Sequence, residues 1–361
     1  MSIPKLMTAV LLVGHGGYDK LVYTEHASLP MAGPGEVLIK VLAAGLNNTD
    51  INTRIGWYSS QATASTEETT KSGLSPADGD WTGDGLTFPR IQGADVCGKI
   101  VGLGPGVAES RLGQRVIVQS CLLSLRRGDF IPWLGSERDG GFAQYVAAPS
   151  ADTYQIQSDM ADAELAAVPC AFATAENLIS RAGLASDECL LITGASGNVG
   201  IAAIQLARRR GSYVTCIAAP SKFAELQSAG ADRCIERGLE MAEALENNSM
   251  DVVVDVVGGP RWSDLLDVLK PRGRYAISGA IAGPIVQMDL RKLYLKDLTL
   301  FGCTTQDSHV FPDLVGYIER GEIKPIVAKQ YPLRDIAIAQ AEFLSKKHVG
   351  KIVLIPDGRD Q

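Results

Sequence analysis

The stretch Leu190–Gly211, LLITGASGNVGIAAIQLARRRG, constrains the fold more than any other part of the chain. Leu190, Leu191 and Ile192 form a short apolar run that predicts a buried strand. Small and turn-forming residues follow from Gly194 to Gly200, and Ile201–Arg210 carries apolar positions at helical spacing. Strand, glycine-rich turn and helix is the arrangement that seats a dinucleotide pyrophosphate on a helix N-terminus. Small residues admit the phosphates to the backbone, and the helix end supplies unpaired N–H groups and partial positive charge. The motif reads AxGxxG, with Ala195 where a first glycine usually stands. Ala195, Ser196, Gly197, Asn198, Val199 and Gly200 are the candidate phosphate contacts. A nucleotide-free strand-to-helix turn is the rival reading, and the segments downstream argue against it.

From Ala161 the pattern alternates helix and strand. Helices are expected at 162–182, 201–210, 222–229, 240–247 and 261–269, and strands at 190–193, 212–218, 233–236, 252–256, 274–279 and 299–302. Such alternation predicts a parallel, doubly wound sheet. Val10–Val146 reads as mostly β, with apolar runs at 37–43, 98–104, 115–119 and 142–147 broken by Gly, Pro and Asp. Within it, Ser59–Thr87 is rich in small polar residues and predicts a long surface loop. Its apolar members Leu74, Trp81 and Leu86, with Phe88, either line a cleft or tack the loop down. The terminal strand near 350–355 is expected to return to the first domain.

The bulk numbers exclude several classes. At 361 residues, 46% hydrophobic and 21% charged, the chain has ample core for two domains. A net charge of −7 without a basic run speaks against nucleic acid or anionic membrane as partner. No apolar run reaches the roughly 18 residues of a membrane span. Met1–Val13 lacks the pattern of a signal peptide. Seven scattered cysteines (97, 121, 170, 189, 216, 234, 303) without a CxxC predict reduced thiols, and so a cytoplasmic protein.

Several further motifs, taken in order, resemble the medium-chain dehydrogenase/reductase superfamily along nearly the whole chain. They are PGEVLIK (34–40), GLNNTD (45–50), QGADVCG (92–98), GQRV (113–116), GGFAQYV (140–146), the glycine-rich turn, GAD (230–232) and GKIV (350–353). The resemblance implies an α/β chain with two parts. One is a GroES-like β domain from residues 1–153 and 325–361. The other is a Rossmann domain, a doubly wound parallel sheet, from residues 154–324. The active site then lies in the cleft between them.

The superfamily divides over catalytic zinc, which needs three Cys, His or carboxylate ligands and an open position. At the positions where zinc-dependent members place their ligands, this chain carries Asn47, Ala94 beside Asp95, and Cys170. The region of the structural-zinc lobe has only Cys121, and none of the histidines 15, 26, 309 and 348 stands in ligand spacing. No metal ligands are expected. GLNNTD with Arg54 and Gly56 resembles the zinc-free quinone oxidoreductases instead. That likeness puts Asn47 and Asp50 beside the nicotinamide end, bonding its ribose or an ordered water, or shaping the pocket. The alternative is a turn in which both bond local backbone. The family often places a Tyr two residues after the Asp. Here that residue is Asn52, which leaves Tyr58 or Trp57 to orient substrate.

Cofactor type is read at the end of the second Rossmann strand, YVTCIAAPSK (213–222), where NAD enzymes usually carry an acidic residue. None is present, and Ser221 and Lys222 suit a 2′-phosphate. An N-cap serine with a solvated lysine is the rival reading. Thr174 matches the family's threonine near the nicotinamide, and Val257, Gly258, Ser278 and Gly279 follow strands at the ligand-binding edge. These residues predict zinc-independent, NADPH-dependent hydride transfer to an apolar or conjugated carbonyl, either a quinone or an α,β-unsaturated carbonyl. The alternatives are an alcohol/aldehyde dehydrogenase with an atypical metal site and a non-catalytic NADPH-binding protein. The family resemblance also implies a homodimer joined at an edge strand, Thr299–Cys303.

Overall fold

The computed structural model describes residues 4–72 and 86–356. Its first part contains β1 (Leu6–Leu12), β2 (Leu21–Ser28), β3 (Glu36–Gly45), α1 (Asn48–Arg54), α2 (Thr66–Ser72), β4 (Arg90–Ile91), β5 (Asp95–Leu103), β6 (Arg115–Val118), β7 (Tyr145–Pro149) and β8 (Thr153–Gln155). A second part runs through α3 (Asp162–Leu165), α4 (Pro169–Arg181), β9 (Cys189–Ile192), α5 (Asn198–Arg210), β10 (Tyr213–Ala218), α6 (Phe223–Ala229), β11 (Arg233–Glu236), α7 (Met241–Ala244), β12 (Met250–Asp255), α8 (Asp264–Val268), β13 (Leu269–Ile277), α9 (Leu290–Tyr294), β14 (Thr299–Gly302) and α10 (Val310–Glu319). The chain then closes with β15 (Val327–Pro332), α11 (Ile336–Leu344) and β16 (Lys351–Ile355).

The second part is a parallel sheet in the order β11-β10-β9-β12-β13-β14. Side chains alternate across it. Leu190, Ile192, Val252 and Val254 pack into the core that holds α4, α5 and α10. Leu191 and Val253 pack on the other face with Trp262, Leu266 and Tyr275. Burial on both faces explains why these strands read as unbroken apolar runs rather than alternating ones. The strand order reverses direction at β9 and β12, so the ends of these strands open the crevice where ligands bind.

The first part holds an antiparallel group, β2-β1-β4, and a larger sheet in the order β15-β16-β3-β5-β6-β8, with β7 also paired to β3. The C-terminal strand β16 pairs with β3 at Leu354 and Ala44 and at Val353 and Gly45. The tail therefore rejoins the first sheet. This pairing carries residue 351 to the mouth of the segment that starts at Leu46, whose N–H donates to the Ile352 carbonyl at 2.9 Å.

Several helices differ from expectation. The run 162–182 is two helices, because Pro169 has no N–H to continue the first and instead opens α4 at its first position. The helix of the glycine-rich motif starts at Asn198, three residues before its apolar pattern begins. The helices expected at 240–247 and 261–269 shrink to α7 and α8. The expected loop 59–87 contains α2. Its start is a capping box: Glu68 N–H donates to Ser65 Oγ at 3.2 Å, and Ser65 N–H donates to Glu68 Oε2 at 3.0 Å. Leu74 and Trp81 lie outside the described residues, and Leu86 and Phe88 are half-buried.

Candidate active site

Asn47 ends the turn after β3 and precedes α1. Asp50 caps this helix start, because its Oδ2 accepts from Asn47 N–H at 2.7 Å. Its Oδ1 accepts from Gly93 N–H at 3.2 Å. Both carboxylate oxygens are thus taken by backbone, and the residue is 2% exposed. Burial pushes the Asp50 carboxyl up to about 7 against the pull of those amides, with the Asp95 charge adding to the rise.

The Asn47 side chain does not cap the helix. Its Nδ2 donates to Asp95 Oδ2 at 2.8 Å, and its Oδ1 accepts from Lys351 Nζ at 2.6 Å. Lys351 also forms an ion pair with Asp95, whose other oxygen accepts from Cys170 N–H at 2.5 Å. Asn47 and Cys170, at two of the ligand positions of the zinc-dependent pattern, thus meet on Asp95, the neighbour of the third such position, Ala94. The donor set is wrong for Zn²⁺, however. An amide is a poor ligand, the carboxylate is already neutralised by an ammonium, and the thiol holds its proton. Burial first, and the Asp95 charge second, push Cys170 up to about 12. Among the described residues no group of three His, Cys, Asp or Glu side chains could hold a metal ion.

Tyr58 reaches the same place. Its hydroxyl donates to Thr49 Oγ1 at 3.1 Å and is also hydrogen-bonded by Asn52. Burial pushes the phenol up to about 12, so it stays protonated. Thr174 hydrogen-bonds the Cys170 thiol, and Cys170 in turn acts electrostatically on the Tyr58 hydroxyl. Asn47 and the Cys170 N–H are thus joined through Asp95, and Asp50, Tyr58 and Thr174 each interact with Cys170. Trp57 is not free to orient substrate, because its Nε1 donates to the Ala64 carbonyl at 3.0 Å.

The glycine-rich turn has the shape of a phosphate cradle. Gly194 sits at φ 58°, where a side chain is strained. A Cβ on Gly200 would lie 2.5 Å from Gly194 O and Ala195 Cα, so this glycine lets α5 pack onto the turn. A Cβ on the exposed Gly197 would meet only Gly194 O, at 3.4 Å, and the space beyond is open to a ligand. Ile201 N–H is the first in α5 to find a helical carbonyl, that of Gly197 at 2.9 Å. The amides of Asn198, Val199 and Gly200 precede it and point out of the helix end. These residues fit a dinucleotide pyrophosphate. Asn198 Nδ2 donates across the cleft to the Leu46 carbonyl at 3.1 Å, and its buried Oδ1 has no partner among the described residues.

Lys222 Nζ donates to Ser196 Oγ at 3.2 Å and to the carbonyls of Lys346 at 2.7 Å and His348 at 3.0 Å. Ser221 beside it is exposed. On the opposite side of the turn, Val257 and Gly258 present their amides inward. Both donate to Asp255, a fully buried carboxylate that also accepts from Tyr275 OH at 2.5 Å and from Thr193 Oγ1. Ser278 and Gly279 lie just past the end of β13, with Ser278 N–H bound to the Asp255 carbonyl at 3.2 Å. Asp255 thus holds three segments of the crevice floor together. The 59–72 segment crosses from one domain to the other. Thr66 Oγ1 donates to Asn52 Oδ1 at 3.1 Å, and Thr66 N–H donates to the Ile281 carbonyl at 3.0 Å.

Sequence reasoning missed Lys351, Thr49 and Asp255. Lys351 carried a signal, since it is a lysine opening a strand whose other residues are all apolar. A charge there is buried and must be paired. Thr49 and Asp255 gave none, because their roles depend on side-chain contacts that only the fold brings about.

Residues 33–158 match the "Alcohol dehydrogenase GroES-like domain" family, and residues 229–354 match the "Zinc-binding dehydrogenase" family. The chain is 28% identical to the chloroplastic NADPH-dependent alkenal/one oxidoreductase of Arabidopsis thaliana, over 98% of this chain and 81% of that one. Its fold matches a Sinorhizobium meliloti 1021 protein described as an alcohol dehydrogenase, with a TM-score of 0.89 at 44% identity over 98% of each chain. It also matches the cobalt- and zinc-bound thermostable alcohol dehydrogenase of Pyrobaculum aerophilum, with a TM-score of 0.81 at 30% identity over 97% of this chain and 100% of that one.

Proposed function

This chain belongs to the medium-chain dehydrogenase/reductase superfamily, and we propose that within it the protein is a zinc-independent, NADPH-dependent reductase of α,β-unsaturated carbonyls or quinones. The observation that carries the reading is the set Asn47, Asp95 and Lys351. An amide stands at the first zinc-ligand position, and the nearby carboxylate is held by an ammonium instead of a metal. Without a Lewis acid, a simple carbonyl is hard to polarise, whereas a conjugated acceptor delocalises the charge that arrives with hydride. The name of the Arabidopsis relative, an alkenal/one oxidoreductase, agrees with this substrate class.

The cofactor, when bound, supplies the hydride. The turn from Ala195 to Gly200 holds its pyrophosphate, Ser221 and Lys222 its 2′-phosphate, and Thr174 with the Val257–Gly258 and Ser278–Gly279 loops its nicotinamide side. Asn47 and Asp50 set the shape of the reacting end from the opposite wall. Burial there excludes water and fixes orientation. A hydride, one hydrogen with its bonding electron pair, would add to the β-carbon, the C=C electron pair would shift toward the α-carbon and carbonyl oxygen, and a proton would then add at the α-carbon. With a quinone, hydride and proton together give the hydroquinone. Tyr58 keeps its proton beside Thr49 and is the donor this site offers. All seven cysteines are unpaired, which agrees with a cytoplasmic protein. Among the described residues no helix is long and apolar enough to cross a membrane. The exposed edge strand β14 suits pairing with a second copy, giving a homodimer.

The test is oxidation of NADPH and of NADH by the purified protein with 2-hexenal, 1,4-benzoquinone and a saturated aldehyde as acceptors. Turnover of the conjugated acceptors with NADPH preferred supports the reading. Turnover of the saturated aldehyde alone moves the function to alcohol and aldehyde chemistry.

A further inference from the structure

The turn between α11 and β16 belongs to the β domain, yet it bends over the Rossmann crevice where Lys222 stands. Lys222 gives two of its donors to carbonyls of this turn and one to Ser196 of the glycine-rich motif. An ammonium has three donors, so its position is fixed from both domains at once. Lys346 is held at φ 54° in the same turn, its ammonium 4.3 Å from the Phe343 ring. Arg237 follows β11, its N–H bound to the Ala218 carbonyl at the end of β10, so it flanks the same corner. His348 completes the group, and its Nδ1 is buried without a partner among the described residues.

These groups repel one another. Lys346 keeps part of its surface in solvent, but crowding by neighbouring atoms and the like charge of Lys222 push it down to about 8. Burial, with Lys222 and Lys346 beside it, pushes His348 down to about 4. Glu67 of α2 faces Lys346, Glu225 of α6 faces Lys222, and Glu342 of α11 faces His348 along with Lys329. Among the described residues none of these carboxylates makes an ion-pair contact with the cluster, and Glu342 is taken by Lys329 at 2.7 Å. Folding has gathered Lys346 and Arg237 about Lys222 and left them short of negative charge. That is the electrostatic signature of a site awaiting an anion.

We propose that Lys346 and the 346–348 turn of the β domain form, with Lys222 and Arg237, a shared subsite for the phosphomonoester of a 2′-phosphorylated adenosine. Discrimination against the unphosphorylated nucleotide is then made by both domains together, and Lys346 is a specificity-determining residue. The inference rests on the NADPH reading above and adds to it the part played by the second domain. The carbonyls of residues 346 and 348 position Lys222, and Lys346 adds a second full charge.

The test is calorimetric binding of 2′,5′-ADP and of 5′-AMP, which carry the adenosine phosphates without the reacting ring. It compares the wild-type chain with Lys346→Met, Lys346→Arg and Lys222→Met. Lys346→Met keeps the stem that packs on Phe343 and removes the charge. It is expected to weaken 2′,5′-ADP by about tenfold, the effect of one charge-assisted contact. It should leave 5′-AMP unchanged, and Lys346→Arg should restore the preference. If Lys346→Met binds 2′,5′-ADP as the wild type does while Lys222→Met loses the preference, the role of the second domain is overturned and the NADPH reading stands. If the wild type does not distinguish 2′,5′-ADP from 5′-AMP, the NADPH reading itself fails.

Discussion

The Lys351 ammonium and the Asp95 carboxylate form an ion pair closed off from solvent, with side-chain exposures of 2% and 0%. Lys351 opens the last strand and Asp95 opens β5, so the pair fastens the end of the chain to the middle of the β domain. Asn47 satisfies both partners, accepting from one and donating to the other. Removing one member strands a buried charge, which costs about 3–5 kcal/mol. Lys351→Met is expected to lose that much stability in urea unfolding. Adding Asp95→Asn to it should recover part of the loss. Equal stability of Lys351→Met and wild type would contradict the burial.

Asp50 makes stability depend on pH in an unusual sense. Its folded carboxyl titrates at about 7, raised from 3.8 chiefly by burial. Between those values the folded state binds more protons than the unfolded one, so this group's contribution falls as pH rises. It is fully present below pH ~4 and lost on passing through about 7, with an upper magnitude on the order of 4 kcal/mol. Unfolding free energies of wild type and Asp50→Asn, measured from pH 5 to 8, should diverge accordingly, with wild type losing more. Parallel curves would refute the assignment.

Tyr58 is the proton donor in this account, and Thr49 holds its hydroxyl in place. Tyr58→Phe is expected to lower turnover by roughly 10²-fold or more, the usual scale of a lost general acid. Cofactor affinity should remain that of the wild type. Unchanged turnover would give the proton to water.

Much of this arrangement was legible in the sequence, and the reasons differ by residue. The Rossmann strands were readable because Leu190–Ile192 and Val252–Val254 are buried on both faces and need no partner information. Gly194 and Gly200 announced the turn because backbone geometry allows little else there. Asn47 was legible as a substituted ligand position, but its partner Lys351 lies 304 residues away. The helix α2 was hidden in a stretch of polar composition, although Ser65 and Glu68 spell a capping box. Asp255 reads as one more residue of a strand. Only the fold shows that Thr193, Tyr275, Val257 and Gly258 all turn toward it.

Among the described residues the edge strand β14 pairs with β13 alone, and large apolar residues close to it in the chain are exposed: Ile285 at 68%, Leu290 at 64% and Leu295 at 71%. An uncovered strand edge in a chain region that also exposes large apolar side chains favours a second copy. Sedimentation of the wild type is expected to give a dimer, and Ile285→Glu combined with Leu295→Glu a folded monomer. A monomeric wild type would rule out this pairing.

The central claim is that an amide and a neutralised carboxylate stand where a metal would act, and that hydride transfer proceeds without one. The most direct measurement is the steady-state rate of NADPH-dependent 2-hexenal reduction by protein stripped of metal by chelator and verified by elemental analysis, with and without added zinc. The account predicts the same rate in both and no zinc retained after dialysis. Loss of activity on stripping, restored by stoichiometric zinc, would contradict it.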